Sequence, residues 1–213
     1  MFQVKSSGMY EAVIAFNLLP ATYVDASWID APVPWSDRLA CLRSPGAQFA
    51  LSEWLMAKNG LSGVFDFNFT CIEKIMFLQR SQDLLLLAAT LGLLRHRETL
   101  RLMIAGGTLA RLAQEVGGTV MERVLVDLPS PEFLPPAESG IDRGAERMLP
   151  QFVASGVSIL LGMLEPECRA VRVRAQFKFP RHLVPQHPTL LVSQQRDAAI
   201  TYLKTYLLKE MYQ

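Results

Sequence analysis

Apolar positions along this chain follow three patterns, and each predicts a different element. The first is continuous. In "DLLLLAATLGLLRHRETLR" the eleven residues from Leu84 to Leu94 include only Thr90 and Gly92 outside the strongly apolar set. A helix of that length spans about 16 Å, against a hydrocarbon core of about 30 Å that needs roughly 20 residues. Asp83 closes one end, and Arg95, His96 and Arg97 close the other. The run is too short to cross a bilayer. It predicts a helix capped by Ser81, buried on all sides and ended by "RHRE", since Arg and His favour the last turn of a helix.

The second pattern is helical punctuation. "SPGAQFALSEWLMAKNG" places Ser44 at a cap, Pro45 at the first helical position and Gly60 just past the end. Glu98 to Ala105 predicts a short helix returning past the leucine helix. "GGTLARLAQEV" and "GGTVMERVLVD" follow as similar units, in which paired glycines release one helix and a threonine caps the next; Thr119 to Glu122 has the capping-box spacing. "AERMLPQFVASGVSILLGMLEPE" predicts a helix stopped by Glu165-Pro166, with Pro150 kinking it or setting its first turn. "SQQRDAAITYLKTYLLKEMYQ" predicts the last helix, with Ala199, Tyr202, Leu203 and Tyr206 on its apolar side. Ser36 is a cap for a short helix in a proline-broken connection. "LSGVFDFNFTCIEKIMFLQ" alternates in its first half and fits a helical turn in its second.

The third pattern is alternation. "YEAVIAFNLLP" is rich in β-branched and aromatic residues and predicts a strand over Tyr10–Leu18, stopped by Pro20. "RAVRVRAQFKFP" sends Val171, Val173, Ala175, Phe177 and Phe179 one way and Arg172, Arg174, Gln176 and Lys178 the other, which predicts a strand with one buried face. A lone strand leaves its backbone groups unpaired, so the two are expected to pair. The expected fold is mainly α: a single helical domain over residues 1–213 with a small two-stranded β element joining the N-terminal and C-terminal segments. An exposed, proline-rich connection at about residues 129–144 divides two halves.

Composition narrows the function classes. Half of the 213 residues are hydrophobic and 19% are charged, a balance that favours a large buried core and leaves apolar surface for a partner. The formal net charge of +1 lacks the basic excess of a nucleic-acid binder. Three widely spaced cysteines, Cys41, Cys71 and Cys168, do not form a disulfide framework and point to a reducing compartment. "MFQVKSSGMYEAV" has neither a signal-peptide core nor a lipidation motif, so a cytoplasmic protein is expected.

Candidate chemistry is sparse. His182 and His187 lie five apart in a loop without a cysteine or carboxylate at ligand spacing, and no metal is expected. The GGT stretches lack the Lys-Ser/Thr of a phosphate loop, and no nucleophile motif occurs. No catalytic residue, cofactor site or metal site is assigned. "RHRETLRLMIAGGTLARLAQEVGG" has the outline of a helix-turn-helix, though its second helix offers a groove little beyond one Arg and one Gln. That keeps a nucleic-acid-binding regulator as the alternative to an interaction protein, with an enzyme of unfamiliar site as a third reading.

The order of segments carries a resemblance. Phe16, Pro20 and Tyr23, then Leu91-Gly92-Leu93 followed by His96, then Ser155-Gly156 ahead of Glu165-Pro166, resemble the SctK family of type III secretion proteins, which includes YscK, PscK, OrgA and MxiK. The resemblance runs from about Val13 to Met211, leaving Leu42 to Leu78 unaligned. It implies a non-enzymatic adaptor of the cytoplasmic sorting platform. Such an adaptor links the inner-membrane ring protein SctD, through its forkhead-associated cytoplasmic domain, to the pod protein SctQ. The expected location is the bacterial cytoplasm, peripheral to the inner membrane through SctD, with no nucleic-acid partner and no membrane insertion. For a linker with two docking faces, two basic groups are the candidates: Arg95, Arg97 and Arg101, with His96 among them at the helix end, and Arg172, Arg174 and Lys178 on the outer face of the second strand.

Overall fold

In the computed structural model, which describes residues 6–29, 43–103, 107–131, 133–134, 145–164, 169–189 and 191–208, the expected first strand is a helix, α1, Ser6–Leu18. Its buried residues are Val13, Phe16 and Asn17, followed by Pro20. That is the i, i+3, i+4, i+7 spacing of one helical face. β-Branched content is a weak prior, and here tertiary burial overrides it. The expected second strand is also a helix, α9, Arg169–Gln176. No strand occurs among the described residues, so the two-stranded β element is not part of this fold.

The remaining helices, in chain order, are α2 (Pro45–Lys58), α3 (Ile72–Ile75), α4 (Ser81–Arg95), α5 (Arg97–Leu102), α6 (Gly107–Val116), α7 (Gly118–Glu122), α8 (Ala145–Gly162) and α10 (Ser193–Tyr202). The helices α7 and α10 each run on into a π-helical turn, Arg123–Asp127 and Leu203–Leu207. The punctuation of α2 is as expected, with Pro45 at its start and Gly60 at φ +66° beyond its end. The Ser44 side chain, however, makes no capping bond. The capping box at Thr119 does not form either: Gly117, at φ +101°, is the N-cap of α7, and Thr119 lies inside the helix. Pro150 sits within α8, beyond its first turn. The Ser36 cap, the Glu165-Pro166 stop and most of the proline-rich connection (132 and 135–144) lie outside the described residues.

The chain forms two compact units interleaved in sequence. Unit 1 is Met1–Ser81 with Leu164–His182, and unit 2 is Gln82–Met163 with Leu183–Gln213. The divisions therefore fall after Ser81, Met163 and His182, away from the proline-rich connection.

Unit 2 is organised by α4. Every residue from Leu87 to Leu94 is buried, but Leu86 is 48% exposed, so the apolar run is buried on all sides only beyond its first turn. Two glycines set how closely α8 approaches it. A Cβ on Gly92 would lie 1.8 Å from the Phe152 carbonyl oxygen, and one on Gly156 would lie 1.8 Å from that of Ala88. The helix backbones touch at both points, a distance only glycine permits. A third close approach puts Gly162 against Thr189, whose amide and hydroxyl both bond Ser158 Oγ, at 2.7 and 2.8 Å. Among the described residues no helix is long and apolar enough to cross a membrane.

In unit 1, Leu51 and Met56 of α2, Ala170 and Val173 of α9, and Tyr23 and Trp28 pack around Val24, Leu55, Leu61 and Phe177. The two segments expected to pair as strands do meet, as helices. Arg174 Nε in α9 donates to the Asn17 carbonyl of α1 at 3.2 Å. Asp25 N–H donates to Phe177 O at 2.7 Å, and the Trp28 indole donates to Phe179 O at 2.9 Å.

Candidate functional site

The helical form of α9 relocates half of the basic residues expected on the surface. Val171, Arg174 and Ala175 of α9 are buried, and so is Lys178 in the turn that follows it. Arg174 is 0% exposed; besides Asn17 O it donates to Val64 O at 2.6 Å and Ala170 O at 3.4 Å. Burial lowers its pKa, and Tyr23 and Asp66 partly offset that effect. Lys178 is 5% exposed and donates to Gln79 O at 2.5 Å. Arg172 is half-buried and bonds Leu164 O at 2.7 Å. The outward basic strand face is therefore corrected: its cations satisfy backbone carbonyls inside unit 1, where a carbonyl without a partner would be costly.

The other basic group is divided. Arg97 is buried and its guanidinium bonds Leu128 O at 2.5 Å and Val124 O at 3.3 Å. Arg95 is half-buried and bonds Ser155 Oγ at 3.1 Å. His96 is buried against Phe152, with ring centroids 5.2 Å apart. Desolvation, with the neighbouring Arg95 charge, holds its pKa down at about 4. Arg101 alone of the six candidates is exposed. It pairs with Glu98 at 2.9 Å and reaches Leu125 O at 3.2 Å, beside the exposed Leu102 (87%) and Val126 (74%).

A second surface lies in the stretch that the resemblance left unaligned. Residues 64–70 run without helix, and Val64, Phe65 and Phe67 point to solvent. The Phe65 and Phe67 rings lie 6.0 Å apart. Hiding a phenylalanine side chain stabilises a fold by about 1.5–3 kcal/mol, so adjacent exposed rings are conspicuous.

The segment beneath them is held from behind. The buried Asn17 amide donates to Asp66 O at 2.7 Å and accepts from Asp66 N–H at 2.9 Å, as a neighbouring strand would. Lys74 Nζ meets Asp66 Oδ2 at 2.7 Å, Arg174 holds Val64, and the guanidinium carbon of Arg174 stands 5.9 Å from the centroid of the Phe65 ring. Phe69 turns inward onto Phe16, which stacks on Tyr23 at 5.5 Å. The arrangement fixes the backbone while leaving the aromatic side chains uncovered. The "VFDFNF" alternation was the available sequence signal. What it could not show is that helices would supply the partners.

The helix-turn-helix reading gains nothing from the structure. Arg111, the arginine of its second helix, pairs with Glu115 at 3.2 Å. Among the described residues no cluster of three or more His, Cys, Asp or Glu side chains could hold a metal ion.

Comparison with known proteins gives one result. A protein-family model described as "YOP proteins translocation protein K (YscK)" matches residues 12–212, including the stretch from Leu42 to Leu78 that the resemblance left unaligned. No curated protein and no solved structure matches.

Proposed function

Since the chain belongs to the YscK family of type III secretion translocation proteins, we propose that it acts as a non-enzymatic adaptor of the secretion sorting platform. In this reading it joins the cytoplasmic domain of an SctD-type inner-membrane ring protein to an SctQ-type pod protein, at the cytoplasmic face of the inner membrane. The observation that carries the reading is the rigidly backed aromatic surface of Val64, Phe65 and Phe67. A docking face needs exposed apolar anchors that are already ordered, because ordering them on binding costs affinity. Unit 2 offers a second apolar face at Leu102 and Val126, with Arg101 supplying charge at its edge. One such face on each unit suits a linker between two partners.

The test is a titration of the purified chain against each partner with two double variants, Phe65→Ser/Phe67→Ser and Arg101→Glu/Leu102→Ser, using circular dichroism to confirm folding. Each folded variant is expected to lose at least tenfold in affinity for one partner and to keep the other. Wild-type affinity of both variants for both partners would place the docking faces elsewhere. The nucleic-acid reading predicts a salt-sensitive gel shift instead.

A further inference from the structure

Unit 1 contains a cavity of about 320 Å³ that the adaptor role does not use. Its lining combines apolar groups, Ala12, Ala15, Leu78 and the Phe16 and Tyr23 rings, with the polar Lys178, Arg80, Gln79 and Ser81. No carboxylate lines it. Lys178 is the unusual member. Its ammonium carries three donors, yet among the described residues it makes one hydrogen bond, to Gln79 O, and no ion pair. Its remaining company is aromatic: Nζ stands 4.9 Å from the Tyr23 ring centroid and 6.0 Å from that of Phe16. Cation–π attraction partly replaces lost water but leaves two N–H groups without acceptors. Arg80 also lines the cavity.

We propose that this cavity binds a small organic anion, with its carboxylate or phosphate head on Lys178 and its apolar body against Ala12, Ala15 and Leu78. The size suits a small ligand, and the spare donors of a buried cation suit an oxyanion. Desolvation alone lowers the Lys178 pKa to about 8. A bound anion reverses that penalty, so binding takes up a proton near that pH. Arg80 is the other charged group lining the cavity. The Tyr23 hydroxyl, which donates to Phe16 O at 2.7 Å, is pushed up by burial and stays neutral.

The experiment is calorimetric titration of the full chain with benzoate, phenyl phosphate and inorganic phosphate, with benzamide as the neutral isostere of benzoate. Benzoate or phenyl phosphate is expected to bind saturably, at least tenfold more tightly than benzamide or inorganic phosphate. Affinity should fall at least tenfold between about pH 7 and about pH 10 as the amine loses its charge. Lys178→Met should abolish binding. Ala15→Leu, which fills the cavity and leaves the lysine in place, should do the same and serves alone if the first variant does not fold. The proposal fails if neither organic anion binds, if benzamide binds as well as benzoate, or if binding survives in the folded variants. Its failure would leave the docking surfaces untouched, because Phe65 and Phe67 do not line the cavity.

Discussion

In unit 2, α4 and α8 meet backbone to backbone because Gly92 and Gly156 have no side chains. In unit 1, a non-helical stretch is held because Asn17, Arg174 and Lys74 have polar ones that reach it. Both devices satisfy or bury backbone, by opposite means. Helices already pair their own N–H and C=O groups, so two of them can approach until only atomic size limits them. The segment over residues 64–70 has no ladder, so side-chain amides, ammonium and guanidinium groups take the place of a neighbouring strand. The first device tolerates no added volume. The second tolerates no loss of a polar partner, and it leaves one face of the segment free for Phe65 and Phe67.

The sharpest break of this comparison is at the glycines. Gly92→Val or Gly156→Val puts a side chain into a carbonyl group that cannot move without separating the helices. A loss of about 4 kcal/mol or more is expected, read as a collapse in the denaturant midpoint followed by circular dichroism. Retained wild-type stability would mean that the helices do not touch there.

Arg174→Met is the matching test for unit 1. It preserves much of the side-chain volume and strands the Asn17 and Val64 carbonyls, with an expected loss of about 3 kcal/mol. All three tryptophans, Trp28, Trp35 and Trp54, lie within Met1–Ser81, so tryptophan fluorescence reports on unit 1. Its transition should move to lower denaturant in this variant.

Titration separates the units again. His96 in unit 2 is held near pKa 4 against an ordinary 6.5, so the unfolded chain binds more protons between those values. Its contribution is full above about pH 6.5 and is lost as pH falls towards 4. Lys178 in unit 1 is held near 8 against 10.5, so stability should likewise rise with pH, but across that alkaline window. His96→Phe should flatten the acid slope and leave the alkaline one, as measured by denaturant midpoints across pH. An unchanged acid slope would show that His96 is not the group responsible.

The smallest stability effect is expected at the aromatic surface. Phe65→Ser with Phe67→Ser removes groups that are already exposed, and the midpoint should shift by about 0.5 kcal/mol or less. A large loss would mean that these rings support unit 1 and are not free for a partner.

The sequence by itself determined the elements whose signal is local. The apolar run from Leu84 to Leu94, closed by charges, could be little other than a buried helix. Pro45 and Gly60 marked the ends of α2, and the ordered motifs pointed to the family. Four of those motif positions, Gly92, Gly156, Phe16 and Tyr23, prove to be packing contacts. Tertiary structure decided the rest. In α9 the buried residues are Val171, Arg174 and Ala175, with Lys178 buried in the turn beyond it, and two of these four are charged. A pattern scored by hydrophobicity therefore shows only the alternation of Val171, Val173, Ala175, Phe177 and Phe179, and reads as a strand. Arg174 and Lys178 can be buried because carbonyls of Asn17, Val64 and Gln79, distant in sequence, come to meet them. Whether a cation is a surface charge or an internal clasp depends on what the fold places within about 3 Å of it, and no local stretch of sequence contains that information.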